Sequence, residues 1–206
     1  MLTGDYRYRK SGPVGPCMDA LTALRPSLGD DVIAILGNHD RASMVDTMEA
    51  MGIRMLVNES TTLQRGGAVV DVLGVDDPHL FRTDDLDAAV AGLPPGRCRL
   101  LLAHSPEMPV AAARHDVDLY LAGHTHGGQI AWPGGRPIVT NARCPRRLAV
   151  GAWTWDGVQG YTSRGTGSSF ADVRLNCRPE IVTHVLRTGG VTVARSSSAG
   201  RPQPGS

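Results

Sequence analysis

Three short apolar runs in this chain stop abruptly at polar groups. Residues 32–36 end in Gly37-Asn38-His39-Asp40, residues 99–103 end in His104, and residues 117–122 end in Gly123-His124-Thr125-His126. Brief aliphatic runs cut off by glycine suit buried strands better than helices. Helical patterns lie around them, over 18–24, 42–51, 84–91 and 107–113. The second of these puts Met44, Val45, Met48 and Met51 on one face and is closed by Gly52. The third carries acidic residues in its first turn, favourable to its dipole. Residues 53–57, 61–64 and 69–73 read as further strands. After Gln129 the pattern turns β-rich, with strands expected over 148–155, 158–162 and 180–186. Strands alternating with helices, then a run of strands, predict a layered α/β protein. Such a sheet gathers its strand ends along one rim, where open α/β sheets place their ligands. The polar groups that end the apolar runs are therefore expected to meet there.

Composition bounds what that site can be. A chain of 206 residues fits one domain, taken here as 1–195. The Ser/Pro/Gly/Arg-rich tail over 196–206 is expected to be disordered. With 41% hydrophobic and 20% charged residues, the chain can bury a core. Phe81 and Phe170 are its only phenylalanines, so that core must be aliphatic. A net charge of +1 points to neither nucleic acid nor a membrane surface. Cys17, Cys98, Cys144 and Cys177 form no Cys-x-x-Cys pair, which excludes the usual thiolate zinc site. No leader and no membrane-spanning stretch is visible. A monomeric cytoplasmic protein is expected if Met1 is the true start, and membrane association if an upstream segment carries an anchor.

The polar terminators make a mixed nitrogen and oxygen set. Asp5 offers a carboxylate, Asn38 an amide oxygen, and His39, His104, His124 and His126 imidazoles, the commonest side-chain metal ligands near neutral pH. That set suits zinc, manganese or iron. Plainer readings stand beside this one. His124 and His126 could be solvated loop residues, His104 a strand terminator, and Asp40 the N-cap of the helix at Ala42. His79, His115 and His184 match no motif and read as surface or satisfied core residues. Asp76-Asp77 reads as a solvated turn. Arg164 and Arg178 could bind substrate phosphate or form structural ion pairs. Trp132, Trp153 and Trp155 read as packing.

The ordered series Gly-Asp, Gly-Asn-His-Asp, His and Gly-His-x-His resembles the calcineurin-like metallophosphoesterases. The longer stretches Leu-Ala-His-Ser-Pro at 102–106 and Gly-His-Thr-His-Gly-Gly-Gln at 123–129 are similar to the bacterial YaeI/YkuE-like phosphodiesterase branch, as are residues 74–77 and 176–181. The resemblance covers roughly residues 2–187. It implies a four-layer α/β/β/α sandwich and hydrolysis of a phosphomonoester or phosphodiester by attack of metal-bound hydroxide, with two divalent ions. By position, Asp5 would bridge the two ions. Asn38, His104 and His124 would complete the second site, and His126 would reach the first. His39 would stand near the leaving group, with Asp40 orienting its ring and Asn38 helping to stabilise developing charge.

One departure is plain. The family opens with a strand ending in Asp-x-His, which would lie before Gly4. The sandwich is therefore expected without its first strand, and the first metal site with only Asp5 and His126. A start placed too late, a fragment or a truncated gene would each produce this. A remnant with one intact metal site and impaired catalysis is the alternative to an enzyme. Backbone beside residues 32–36 is expected to lack a partner.

Overall fold

The computed structural model describes residues 1–169, 171–187 and 190–191. Helix α1 (Gly15–Leu24) leads into β1 (Val32–Ala34), then α2 (Val45–Ala50) and β2 (Ile53–Met55). A hairpin of β3 (Glu59–Arg65) and β4 (Ala68–Gly74) is followed by α3 (Leu86–Val90), β5 (Cys98–Leu102), α4 (Pro109–Arg114) and β6 (Leu119–Ala122). The chain then runs through β7 (Gly151–Trp155), β8 (Val158–Thr162), β9 (Leu186–Arg187) and β10 (Gly190–Val191).

β1 and β2 pair in parallel, and a six-stranded sheet has the order β3-β4-β5-β6-β8-β7. Its four central strands are parallel, with β3 and β7 antiparallel at the two edges. Parallel strands are buried on both faces, which is why β5 and β6 read as continuous apolar runs. Their shared direction sends Val75-Asp76-Asp77, His104, His124 and Arg164 out at one rim.

Side-chain alternation along each strand sorts the core into layers. Val32, Ala34, Ile53 and Met55 face Met18, Leu21, Met44 and Met48 of the first helical layer. Ile33, Ile35 and Leu56 face the larger sheet, meeting Val72, Leu100, Leu102, Leu119, Leu121 and Tyr161. On that sheet's far side Leu73, Leu101 and Tyr120 pack with Leu86 and Ala89 of α3, Ala112 of α4 and Met108 just before it. The order is helix, sheet, sheet, helix, the four-layer α/β/β/α sandwich expected.

Three expectations need correction. The flank of β1 is not bare: Leu2 forms a parallel bridge with Ala34. Its N–H donates to Ile33 O at 2.9 Å, and its carbonyl accepts from Ile35 N at 3.1 Å. Residues 180–185 form no strand, and Leu186 pairs only with the short β10. Glu180 turns its carboxylate to Arg164 and Tyr161 instead. The helix expected over 42–51 begins as a 3-10 turn, Ala42–Met44, before α2. The tail 196–206, with residues 188, 189 and 192–195, lies outside the described residues. All four cysteines are free.

Candidate metal centre

Two loops meet back to back under the site. Gly4 has φ +87°, and a Cβ there would come within 2.4 Å of Gly37 N. A Cβ on Gly37 would come within 2.4 Å of Asp5 N and 2.8 Å of the His104 ring. The glycines let the Asp5 and Asn38 loops approach closely enough to share one pocket. Gly37→Ala is therefore expected to cost about 1–3 kcal/mol, seen as a lower urea midpoint, and to weaken ion binding by pushing Asp5 away. An unchanged midpoint would contradict the packing argument. Asp5, His124 and His126 all adopt left-handed backbone, at φ 59°, 66° and 51°. Non-glycine residues held there store strain of a kind concentrated at functional sites.

Four of the expected ligands converge. His104 Nε2 lies 3.3 Å from Asp5 Oδ2 and 3.1 Å from Asn38 Oδ1. His124 Nδ1 lies 3.0 Å from Asn38 Oδ1 and 3.2 Å from His104 Nε2. The rings are oriented from behind by backbone carbonyls: His104 Nδ1 donates to Thr3 O at 2.6 Å, and His124 Nε2 to Asn141 O at 2.5 Å. These bonds fix the tautomers, as second partners of metal-binding imidazoles do. The inward nitrogens of the two neutral rings then carry lone pairs. A carboxylate oxygen, an amide oxygen and two ring nitrogens face one another with no donor among them. Such a set is satisfied by a cation.

The electrostatics show the same demand. Burial alone would raise the Asp5 carboxyl, but the hydrogen bond and charge of His104, with His39, more than offset it and hold it below the usual carboxylate range. Burial would lower His104; its bond to Asp5 and the carboxylate charge win and raise it. His124 is pushed down to about 3, by burial first and then by His104 and His79. The Asp5 carboxylate, the one anion of the set, thus lies against His104 and draws positive charge to the centre.

Asp40 does not orient the His39 ring, nor does it cap α2. Its carboxylate accepts backbone N–H bonds from Asp5 at 2.7 Å, Tyr6 at 3.0 Å, Arg7 at 3.3 Å and Gly37 at 2.8 Å. It is the clamp between the two loops. Burial pushes this carboxyl up to about 6, against the pull of the Gly37 N–H. The His39 ring is placed by Arg7, whose carbonyl lies 3.2 Å from Nδ1. The His39 N–H donates to Asp5 Oδ1 at 2.8 Å.

Comparison with known proteins agrees with this arrangement. Residues 1–128 match the family described as calcineurin-like phosphoesterase. The chain belongs to that family. Phosphodiesterase YaeI of Escherichia coli (strain K12) is 33% identical over 192 residues, covering 88% of this chain and 67% of that protein. YkoQ, an uncharacterized metallophosphoesterase of Bacillus subtilis (strain 168), is 28% identical over 195 residues, 90% of this chain and 71% of YkoQ. YkuE of the same organism, also an uncharacterized metallophosphoesterase, is 29% identical over 162 residues, 76% of this chain and 56% of YkuE. The chain thus falls in the YaeI/YkuE-like branch of the calcineurin-like phosphoesterases, a family of hydrolases.

Two residues expected at the phosphoesterase site stand apart from the convergent set. His126, on left-handed backbone at φ 51°, is not among the close Asp5, His104 and His124 group. Its Nδ1 is buried without a hydrogen-bond partner. Burial, then Arg174, lowers its pKa. Arg164 Nη1 is ion-paired to Glu180 at 2.9 Å, and Arg164 is not among the converging ligand atoms.

Other residues join the centre unannounced by any motif. The His79 ring lies against that of His124, with centroids 4.1 Å apart. Its Nδ1 is 2.6 Å from Glu107 Oε1, and Glu107 Oε2 is 3.1 Å from the Arg143 guanidinium. His79 is thus neither a surface histidine nor a core one, but part of the site's wall. The turn that carries it is built by Asp77, which is fully buried. Its carboxylate accepts from the N–H groups of His79, Leu80 and Phe81, so this turn is not a solvated one. The sequence signal available was the Asp-Asp-Pro-His stretch leaving β4 at the ligand rim. Among the described residues no helix is long and apolar enough to cross a membrane.

Proposed function

We propose that the chain is a metal-dependent phosphodiesterase in which Asp5, Asn38, His104 and His124 hold one divalent ion and Asp5 and His126 face a second. The observation that carries this reading is the convergence of four acceptor atoms, oriented by Thr3 O and Asn141 O, with no donor between them. Manganese, zinc and iron fit this hard and borderline donor set. An ion bound there supplies Lewis-acid charge to a phosphoryl oxygen and lowers the pKa of a water near it.

The chain's own residues do the rest. Asp5 contributes the only anionic oxygen of the converging set. Asn38 offers its amide to the ion and to charge building on phosphorus. His39 is positioned twice, by its N–H on Asp5 and by Nδ1 on Arg7 O, so a second ring proton, carried on Nε2, would be the one given to the leaving oxygen.

The test is hydrolysis of bis(p-nitrophenyl) phosphate by the protein loaded with manganese or zinc. Turnover is expected, and His39→Ala should lower kcat by about 10²–10⁴ with ion affinity retained in equilibrium dialysis. Two ions bound per chain would support the paired centre. Saturating ion binding without turnover of any phosphate ester would sink the enzymatic reading.

A further inference from the structure

From Leu119 to Trp155 the chain contains no acidic residue, yet it carries Arg136, Arg143, Arg146 and Arg147. Arg143 is used at the metal rim, paired with Glu107. The other three gather elsewhere, around a cavity of about 490 Å³ that Arg164 also lines. We propose that this cavity is a second anion site, which takes a phosphate or diphosphate group.

Three observations carry it. Among the described residues, none of Arg136, Arg146 and Arg147 has a carboxylate partner. Grouped guanidinium ions repel one another unless an anion lies between them, and their planar forks suit phosphate oxygens. Second, two of the four cationic groups are positioned rather than loose. The Arg147 guanidinium sits 5.0 Å from the centroid of the Trp155 ring, and Arg164 is fixed by Glu180. Arg164 Nε is buried and has no hydrogen-bond partner. Third, Gly134 and Gly135 open the wall to the ligand: both have positive φ, and neither carries a side chain into the space. The volume falls within the range of ligand sites and exceeds what one phosphate needs.

The cavity lies one loop away from the metal centre. A Cβ on Gly127 would strike Arg164 Cγ at 2.7 Å, and one on Gly128 would strike Pro137 Cβ at 2.7 Å. The 126–128 turn, which follows the ligand His124 in the chain, therefore packs against two residues of the cavity wall. Beside the lining segment 134–140 in the chain, Trp132 is 60% exposed, and Val139 within that segment is 70% exposed. Apolar groups beside a phosphate-shaped cationic cavity fit either a free anion or the phosphate headgroup of an anionic lipid, with its chains against Trp132 and Val139.

The experiment is done in EDTA, so that the metal centre cannot bind the probe. Titration calorimetry with inorganic diphosphate should show saturable binding that weakens with salt. The double variant Arg136→Ala/Arg146→Ala should bind about tenfold or more weakly. Arg65→Ala, which removes an exposed charge elsewhere, should bind as the wild type does. Cosedimentation with phosphatidylglycerol or phosphatidylcholine vesicles identifies the source of the phosphate. Capture by phosphatidylglycerol alone, lost in the double variant, assigns a lipid headgroup and supports the site; diphosphate binding without capture assigns a free anion. If neither probe binds, or if the double variant binds like Arg65→Ala, the site does not exist. A protein that binds diphosphate in EDTA but cleaves no ester would defeat the phosphodiesterase reading and leave this one standing.

Discussion

Asp5→Asn is expected to weaken divalent-ion binding at least about 100-fold, the upper range for losing a mere supporting partner of a ligand, and to remove turnover with it. Above the pH range in which His104 holds its second proton, the metal-free protein should nevertheless melt at or above the wild-type temperature. The asparagine oxygen can keep the 2.8 Å bond from His39 N–H. Its amide nitrogen replaces Oδ2, 3.3 Å from His104 Nε2, and donates into that lone pair. A set made only of acceptors gains a donor and loses its one anion. The variant should therefore prefer the empty state. The pH profile of the metal-free protein gives an independent check. Asp5 is held below its ordinary 3.8, so its contribution to stability is present above that pH and lost as pH falls through the lowered value. His104 is raised above 6.5, so its contribution is present below 6.5 and lost as pH rises through the raised value. The pair stabilises most between about 4 and 6.5. Wild-type melting temperature in EDTA should peak in that window, and Asp5→Asn should flatten the peak. Ion affinity within tenfold of wild type, or an unchanged pH profile, would break the argument that Asp5 supplies the charge of the site.

The ligands were legible because they are side-chain types placed at the ends of apolar runs. Asn38, His104 and His124 each follow a strand or its turn, and parallel strands deliver their ends to one rim. The residues that hold them were not legible, for a physical reason. Thr3 and Asn141 act through backbone carbonyls, which every residue owns. Asp40 acts on four N–H groups, three of them more than thirty residues away in sequence, so its neighbour His39 was the natural but mistaken partner. Glu107 and His79 meet across 28 positions, joined only by the way β4 and β5 lie side by side. The apolar stretch after Glu180 looked like a strand by composition. A strand needs a neighbour to pair with, and residues 180–185 find none among the described residues. The four-layer sandwich itself was readable from family motifs and from alternation. Only the structure shows that Leu2 guards β1.

Asp40→Ala should be the most damaging single change to the fold near the site, costing about 4 kcal/mol or more, since each buried donor left unpaired costs about 1–3 kcal/mol. Asp40 is 3% exposed, and its carboxylate is the shared acceptor for the N–H groups of Asp5, Tyr6, Arg7 and Gly37. Water can replace some of these bonds but not the geometry that joins the two loops. Residues 4–7 should peel from Gly37, carrying Asp5 away from His104, so ion affinity should fall together with the urea midpoint. Asparagine cannot rescue this. One of its two terminal atoms is an amide nitrogen, and in either flip that nitrogen faces N–H donors: Asp5 and Gly37 at one position, Tyr6 and Arg7 at the other. The comparison with His39→Ala is decisive, because that variant should lose kcat while keeping its midpoint and its ions. If Asp40 worked through the His39 ring, Asp40→Asn would copy His39→Ala, a kinetic defect in a protein of normal stability. If it is the clamp between the loops, Asp40→Asn must lose stability and ion binding together, and no pH or metal concentration within the folded range should restore wild-type turnover.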